Sequence, residues 1–339
     1  AASLGARRWS SIDGESRREE SRFSMTHPIA VVFPGQGSQS PGMLDGWGDH
    51  AVVRATLQEA SDALGEDMGR LISQGSKEEL ALTTNTQPVM LVAGIAAWRM
   101  WCAEGGPRPV VLAGHSLGEY SALVAAGSLT LAQAAPLVRF RAAAMQEAVP
   151  VGAGAMAAIL GLDATTVRDV CTQSNTNDGE IAEAVNFNDP AQTVIAGTRI
   201  GVERACEALK AAGAKRALML PVSAPFHSSL MKPAADKLRQ RLAETSFAAP
   251  QIPVINNIDV AEQADPEKIR DALYRQAFGP VRWVECVQAI VARGVGAVVE
   301  CGPGKALTGM NKRIDAGLQA LPVSDPQTLT ATLATLQTT

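Results

Sequence analysis

Cysteine is scarce in this chain of 339 residues. Five occur, Cys102, Cys171, Cys206, Cys286 and Cys301, an odd and scattered set with no Cys-x-x-Cys pair. Such a set fits neither a disulfide framework nor a zinc site, so a reducing compartment, the cytoplasm, is the expectation. Excess charge is also missing. Thirty Lys and Arg against 34 Asp and Glu leave a formal net charge of -4, which excludes a broadly basic nucleic-acid binder and confines any charged docking face to a local patch. The uncharged stretch Tyr120 to Val138 approaches membrane-spanning length. Ser121, Gly127, Ser128, Thr130, Gln133 and Pro136 interrupt it, so it reads as two buried helices joined by a turn. No repeat and no low-complexity tract interrupts residues 25–339.

What is present is ample for a core. Hydrophobic residues make up 46% of the chain, and at roughly 150 residues per domain the length suggests about two units. Residues 1–24 stand apart, rich in Ser and Arg with Asp13, Glu15, Glu19 and Glu20 interleaved. They are expected to form a disordered, appended tail ahead of a natural start at Met25. A mitochondrial presequence would be poor in acidic residues, and a secretory signal would need an apolar core.

Ile29 to Phe33 is a short apolar run ending at Pro34-Gly35-Gln36-Gly37, as where a buried strand meets a loop. A helical stretch from Pro88 to Ala103 and a second strand at Val110 to Ala113 follow, which suggests a parallel α/β sheet. From Gly154 to Leu220 the order becomes β-α-β-β-α-β: strands 155–160, 181–187, 193–196 and 216–220, with helices 164–173 and 200–212. That is the order of a ferredoxin-like unit. Helical patterns at 230–243, 266–276 and 281–292 then alternate with short strands at 254–256 and 297–300. The expected fold is α/β, a hydrolase-like parallel-sheet domain of residues 25–150 and 223–339 interrupted by a ferredoxin-like small domain of residues 151–222.

Gly114-His115-Ser116-Leu117-Gly118 follows a strand and precedes a helical run, the setting in which a Gly-x-Ser-x-Gly turn exposes a nucleophilic serine. Outside that setting the motif also fits an ordinary turn. A neutral serine needs a base, and the chain has four histidines. His27 ends the tail, His50 lies in a Gly- and Asp-rich loop, and His115 neighbours the serine on a turn that sends adjacent side chains apart. His227, in Pro225-Phe226-His227-Ser228, is left as the candidate, against the alternative of a structural histidine. No Asp or Glu announces itself as a third member; Asp163, Asp178 and Asp189 read as cap, loop and turn residues. A backbone carbonyl is adequate to hold the imidazole Nδ1–H. Gly35-Gln36-Gly37 lacks both the Walker Lys-Ser/Thr and the spacing of a dinucleotide loop. Gly302-Pro303-Gly304-Lys305 reads as a strand-to-helix turn.

Five short strings, Phe33 to Gln39, Gly114 to Tyr120, Arg141 with Met145-Gln146, Pro225 to Ser228 and Gly302 to Lys305, resemble in their order the malonyl-CoA:acyl carrier protein transacylases of type II fatty acid synthesis. The likeness runs from about residue 28 to 325. It implies that Ser116 is the acyl-accepting nucleophile and His227 its base, that backbone N–H groups of Gln36 and Leu117 form the oxyanion hole, and that Arg141 grips the malonyl carboxylate. It also implies that the main-chain carbonyl of Gln276 orients His227 and that Phe226 accompanies malonyl rather than methylmalonyl selection. Asn188-Asp189-Pro190 departs from the family's usual string but is expected to lie away from the chemistry.

The substrate implied is malonyl-CoA, the partner an acyl carrier protein, with no cofactor, no metal, no nucleic acid or membrane partner, and a monomeric state. Without Arg141 the elbow would serve a serine esterase or thioesterase equally well. A free-standing polyketide-pathway acyltransferase and a catalytically silent carrier-protein docking module are further alternatives. For docking an acidic carrier, Lys210, Lys215, Arg216, Lys305, Lys312 and Arg313 are the candidate basic residues, against the alternative of solvated surface charges.

Overall fold

The computed structural model describes residues 28–222 and 224–338; the expectations for the tail and for His27 lie outside them. Among the described residues there are nine strands in two sheets. Strands β1 (Ile29–Phe33), β2 (Val111–Gly114), β7 (Val254–Ile255), β8 (Ala297–Cys301) and β9 (Gln319–Val323) form a parallel sheet in the order β7-β2-β1-β8-β9. The burial of β1, β2 and β8 is complete at every residue, which is why they read as unbroken apolar runs rather than alternating ones.

Strands β3 (Gly154–Leu160), β4 (Ala182–Asp189), β5 (Gln192–Thr198) and β6 (Arg216–Met219) form a separate antiparallel sheet in the order β4-β5-β3-β6. Helices Ala164–Ser174 and Arg199–Ala211 pack on its Ala155, Ala157 and Ile159 face. The opposite face, with Met156, Ala158 and Val194, joins the main core. β4 joins the large domain's chain where Asn186 bridges to Val281, between the helices Pro266–Gln276 and Trp283–Val291, and Phe187 N–H donates to the Val281 carbonyl at 3.0 Å. A bulge in β4 between Ala184 and Asn186 accompanies that junction.

Pro88 does not open its helix. The helix spans Thr83–Ala103, with Pro88 inside it. A proline there forfeits one intrahelical N–H bond, and the nearly continuous burial of residues 86–97 outweighs that local cost. The uncharged stretch does hold two helices, Gly118–Ala125 and Leu131–Glu147, the second opened by a capping box of Thr130 and Gln133. All five cysteines are free and four are buried. Among the described residues no helix is long and apolar enough to cross a membrane.

Because the strands of the large sheet run parallel, the loops after β1, β2, β7 and β8 leave from one edge. Glycines let those loops meet. A Cβ on Gly118 would fall 2.1 Å from the Phe33 carbonyl oxygen, and one on Gly35 would fall 2.6 Å from the His115 carbonyl oxygen. On Gly302 it would meet the Pro34 ring at 2.8 Å. Contacts that short are closed to any side chain, so the loops interlock only through glycine.

Candidate active site

Ser116 sits at the tip of the turn between β2 and the helix Gly118–Ala125, with a left-handed φ of +52°. Such a backbone is strained for a serine and has to be held by its surroundings. Both of its main-chain groups are held by side chains: Ser116 N–H donates to Asn257 Oδ1 at 2.7 Å, and its carbonyl accepts from Gln276 Nε2 at 2.9 Å. Asn257, just past the end of β7, also donates through Nδ2 to the Gly114 carbonyl at 2.7 Å.

His227 arrives on the loop that leaves the antiparallel sheet after β6, also with positive φ, +65°. It is buried, with Nε2 2.6 Å from Ser116 Oγ and Nδ1 2.8 Å from the Gln276 carbonyl oxygen. A carbonyl can only accept, so Nδ1 carries the hydrogen and Nε2 presents its lone pair to the serine hydroxyl. Burial first, and the nearby Arg141 charge second, depress His227 to about 3. It is therefore neutral, the form a base requires, across the physiological range.

Arg141, on the helix Leu131–Glu147, is 1% exposed. Two residues away Arg139 does what a surface arginine does, clasping Glu66 at 2.5 and 2.7 Å. Among the described residues Arg141 has no carboxylate partner. Its Nη1 donates to Gln87 Oε1 at 2.7 Å, its Nη2 donates to Gln276 Oε1 at 3.1 Å and lies 3.4 Å from Ser116 Oγ, and its Nε has no hydrogen-bond partner among the described residues. A buried guanidinium held by neutral amides beside a serine leaves donor capacity and charge for an incoming carboxylate.

Gln36, after β1, and Leu117 line the same pocket as Ser116, His227, Arg141 and Phe226. Gly37 N–H is taken by Gln39 Oε1 and Gly118 N–H by the His115 carbonyl, whereas the N–H groups of Gln36 and Leu117 meet no protein acceptor among the described residues. The pocket measures about 110 Å³. At about 30 Å³ per water molecule that is room for roughly four waters, the scale of a short acyl group rather than a long chain. A larger cavity, about 590 Å³, lies between the helix Ala164–Ser174, β4 and residues 280–285. It contains no histidine, its Arg282 pairs with Glu285, and burial pushes its Cys171 up to about 12. Size notwithstanding, it is the smaller pocket that brings Ser116, His227 and Arg141 together.

All seven residues that the resemblance singles out, Gln36, Ser116, Leu117, Arg141, Phe226, His227 and Gln276, thus meet in one place. Three others that were not singled out belong with them: Gln87, Asn257 and Glu119. Glu119 follows Gly118 in the elbow, is buried, and its Oε2 accepts from Asn257 N–H at 2.9 Å and from Gln276 Nε2 at 3.0 Å. Burial pushes it up to about 7, against the two hydrogen bonds and the Arg141 charge, which pull it down. Its signal in the sequence was the lone acid at the head of an otherwise uncharged run.

One expectation is corrected. Asn188 does not lie away from the candidate site: its Oδ1 is 2.8 Å from His115 Nε2, so the small sheet steadies the residue next to Ser116. Asp189 is buried and pairs with Arg313 at 2.7 Å, which occupies one of the basic docking candidates. Lys210, Lys215, Arg216, Lys305 and Lys312 are exposed.

Residues 30–325 match the family model of the acyl transferase domain. The malonyl CoA-acyl carrier protein transacylase of Salmonella typhimurium is 52% identical over 306 residues, covering 90% of this chain and 98% of its own. That of Bacillus subtilis strain 168 is 44% identical over 310 residues, 91% of this chain and 97% of its own. Among solved structures, an acyl-carrier-protein S-malonyltransferase from Burkholderia pseudomallei is 62% identical with a TM-score of 0.88, covering 91% of this chain and 99% of that one. A malonyl-transacylase in complex with its type II PKS acyl-carrier protein is 51% identical with a TM-score of 0.88 over the same shares.

Proposed function

This chain belongs to the acyl transferase family, among the malonyl CoA-acyl carrier protein transacylases, and on that premise we propose that it moves a malonyl group from malonyl-CoA to the phosphopantetheine thiol of an acyl carrier protein through an ester on Ser116. The observation that carries the reading is the pairing of a neutral His227 against Ser116 Oγ with Arg141 3.4 Å from the same oxygen. In the first half-reaction His227 Nε2 takes the Ser116 proton as Oγ bonds to the thioester carbon. Charge gathers on the carbonyl oxygen, where the free N–H groups of Gln36 and Leu117 receive it. The C–S bond then breaks and the departing CoA sulfur takes the proton from Nε2.

The second half is the reverse: the carrier thiol gives its proton to His227, its sulfur attacks the ester carbon, and Ser116 leaves reprotonated. Both halves are redox-neutral exchanges of one acyl group between sulfur and oxygen, so the cycle calls for no cofactor. Arg141 holds the malonyl carboxylate throughout, which sets substrate class and leaves the carbonyl facing the serine. Phe226, against the pocket, narrows the space beside the malonyl methylene and so favours malonyl over methylmalonyl.

We read the antiparallel unit, residues 151–222, as a ferredoxin-like insert in a hydrolase-like domain of residues 25–150 and 223–339. Its β-α-β-β-α-β order and its β4-β5-β3-β6 pairing support this. The carrier protein is expected to dock on the exposed basic residues, and the chain to act as a cytoplasmic monomer.

Intact-mass measurement after brief incubation with malonyl-CoA tests the mechanism. One malonyl adduct is expected on the wild type and none on Ser116→Ala; an adduct that persists in the variant removes Ser116 from its role. Release of free malonate undiminished by added carrier protein would establish a thioesterase instead.

A further inference from the structure

Ser116 and Arg141 come from different elements, yet their spacing decides which acyl groups fit between them. Three buried side chains control that spacing. Asn257 holds the Ser116 N–H and the Gly114 carbonyl, one residue on each side of His115. Gln276 holds the Ser116 carbonyl through Nε2 and Arg141 through Oε1. Neither amide is fixed by its own contacts with the nucleophile and the arginine alone. Both are tied to one atom, Glu119 Oε2, which accepts from the Asn257 main chain and the Gln276 side chain. Glu119 itself is fixed by the elbow's helix and is 2% exposed, while Asn257 and Gln276 are fully buried.

We propose that Glu119 is a positioning residue of the transfer reaction: through Asn257 it holds the strained turn that aims Ser116, and through Gln276 it holds Arg141 at the distance that suits a three-carbon acyl group with a terminal carboxylate. The inference deepens the malonyl reading and rests on it for the identity of the acyl group; the aiming of Ser116 stands without it. Removing this shared acceptor leaves the Asn257 main-chain N–H and one Gln276 Nε2 hydrogen unpaired, so the loop carrying Asn257 is expected to shift and the Gln276 amide to turn toward other partners. Asn257 reaches the elbow only. Glu119 reaches the elbow and the arginine. The two positions therefore predict different signatures.

The test uses the full chain and three variants, Asn257→Ala, Glu119→Ala and Glu119→Gln, with two rates and a melting temperature. Sulfonylation of Ser116 by phenylmethanesulfonyl fluoride reports the aim of the nucleophile without any carboxylate. The ratio of malonyl to acetyl acylation rates, per folded enzyme, reports the grip of Arg141. Asn257→Ala is expected to slow sulfonylation about tenfold or more while the ratio stays within about twofold, and Glu119→Ala to slow sulfonylation similarly and lower the ratio about tenfold besides.

Glu119→Gln is expected to restore both readouts to within about threefold, because both bonds fall on one oxygen that an amide carbonyl can replace. Variants that melt earlier but keep wild-type sulfonylation and ratio would reduce Glu119 to a structural role. Glu119→Gln as impaired as Glu119→Ala would also overturn the proposal, since the charge and not the bonding pattern would then matter. Should Glu119→Ala fail to fold, undiminished sulfonylation of Asn257→Ala overturns it alone. Wild type that is sulfonylated but takes no acyl group from malonyl-CoA would fail the malonyl reading and leave the aiming half standing.

Discussion

Lowering the pH asks whether His227 is as reluctant a cation as its surroundings require. An imidazole in water titrates near 6.5, so at pH 5 only about 3% remains neutral and a reaction that depends on it falls about thirtyfold. His227 is buried, spends Nδ1–H on a carbonyl and faces the Arg141 guanidinium, which together bring it to about 3. At pH 5 it is then about 99% neutral, and the shift of about 3.5 pH units corresponds to about 5 kcal/mol against the imidazolium. The expected result is a rate of Ser116 acylation, measured by rapid quench with malonyl-CoA, that stays level from pH 8 down to pH 5. Glu119, at about 7, also titrates in this window, so the profile is run on Glu119→Gln as well. A fall centred near 6.5 in that variant would refute the assignment of His227 as a neutral, desolvated base. Arg141→Gln, followed with acetyl-CoA, should move the acid limb upward but not as far as 6.5, since burial is the larger cause.

Stability should carry the opposite signature at Glu119. Its folded value lies above the ordinary carboxyl value, so the stability it confers is complete below about pH 4.5 and is lost as pH rises through about 7, about 3 kcal/mol in all. Urea unfolding of wild type and Glu119→Gln should diverge by that amount between pH 4 and pH 8; parallel curves would refute it. Arg141→Ala should lower kcat/KM for malonyl-CoA by about 10²- to 10³-fold, the cost of unpairing a buried charge-assisted pair, and spare acetyl-CoA; equal losses would make Arg141 a packing residue. Gly118→Ala should cost about 1–3 kcal/mol and slow acylation, because its Cβ would lie 2.1 Å from the Phe33 carbonyl oxygen; a fully active, equally stable variant would deny the interlocking of the two loops.

Much of the site was legible because its parts are local. A strand that is apolar throughout and ends in Pro34-Gly35 announces a buried parallel strand, and Gly114 to Gly118 can be read in place. The supporting groups are not local. Asn256-Asn257 after a strand of two residues looks like any turn, and only the pairing of β7 beside β2 brings Asn257 under Ser116. Glu119 in the first turn of a helix reads as a solvated acid favoured by the helix dipole, whereas it is buried against Asn257 and Gln276, brought to it from elsewhere in the chain. Asn188 looked remote because the antiparallel unit is a separate sheet, but the strand that carries it is the one joined to Val281. Pro88 misled by the same route: a local rule for helix starts yielded to burial along most of the helix.

Gln276 divides its work between two kinds of atom. Its main-chain oxygen accepts from His227 Nδ1, and its side-chain amide ties Arg141 to the Ser116 carbonyl. Every amino acid brings a carbonyl to the chain, so a substitution at this position is expected to keep the contact with His227 Nδ1 while it removes the side-chain ties to Arg141 and Ser116. Libraries randomised at position 276 are therefore a natural place to look for transferases of new acyl groups, with a companion assay of Ser116 reactivity because the same amide also holds the Ser116 carbonyl.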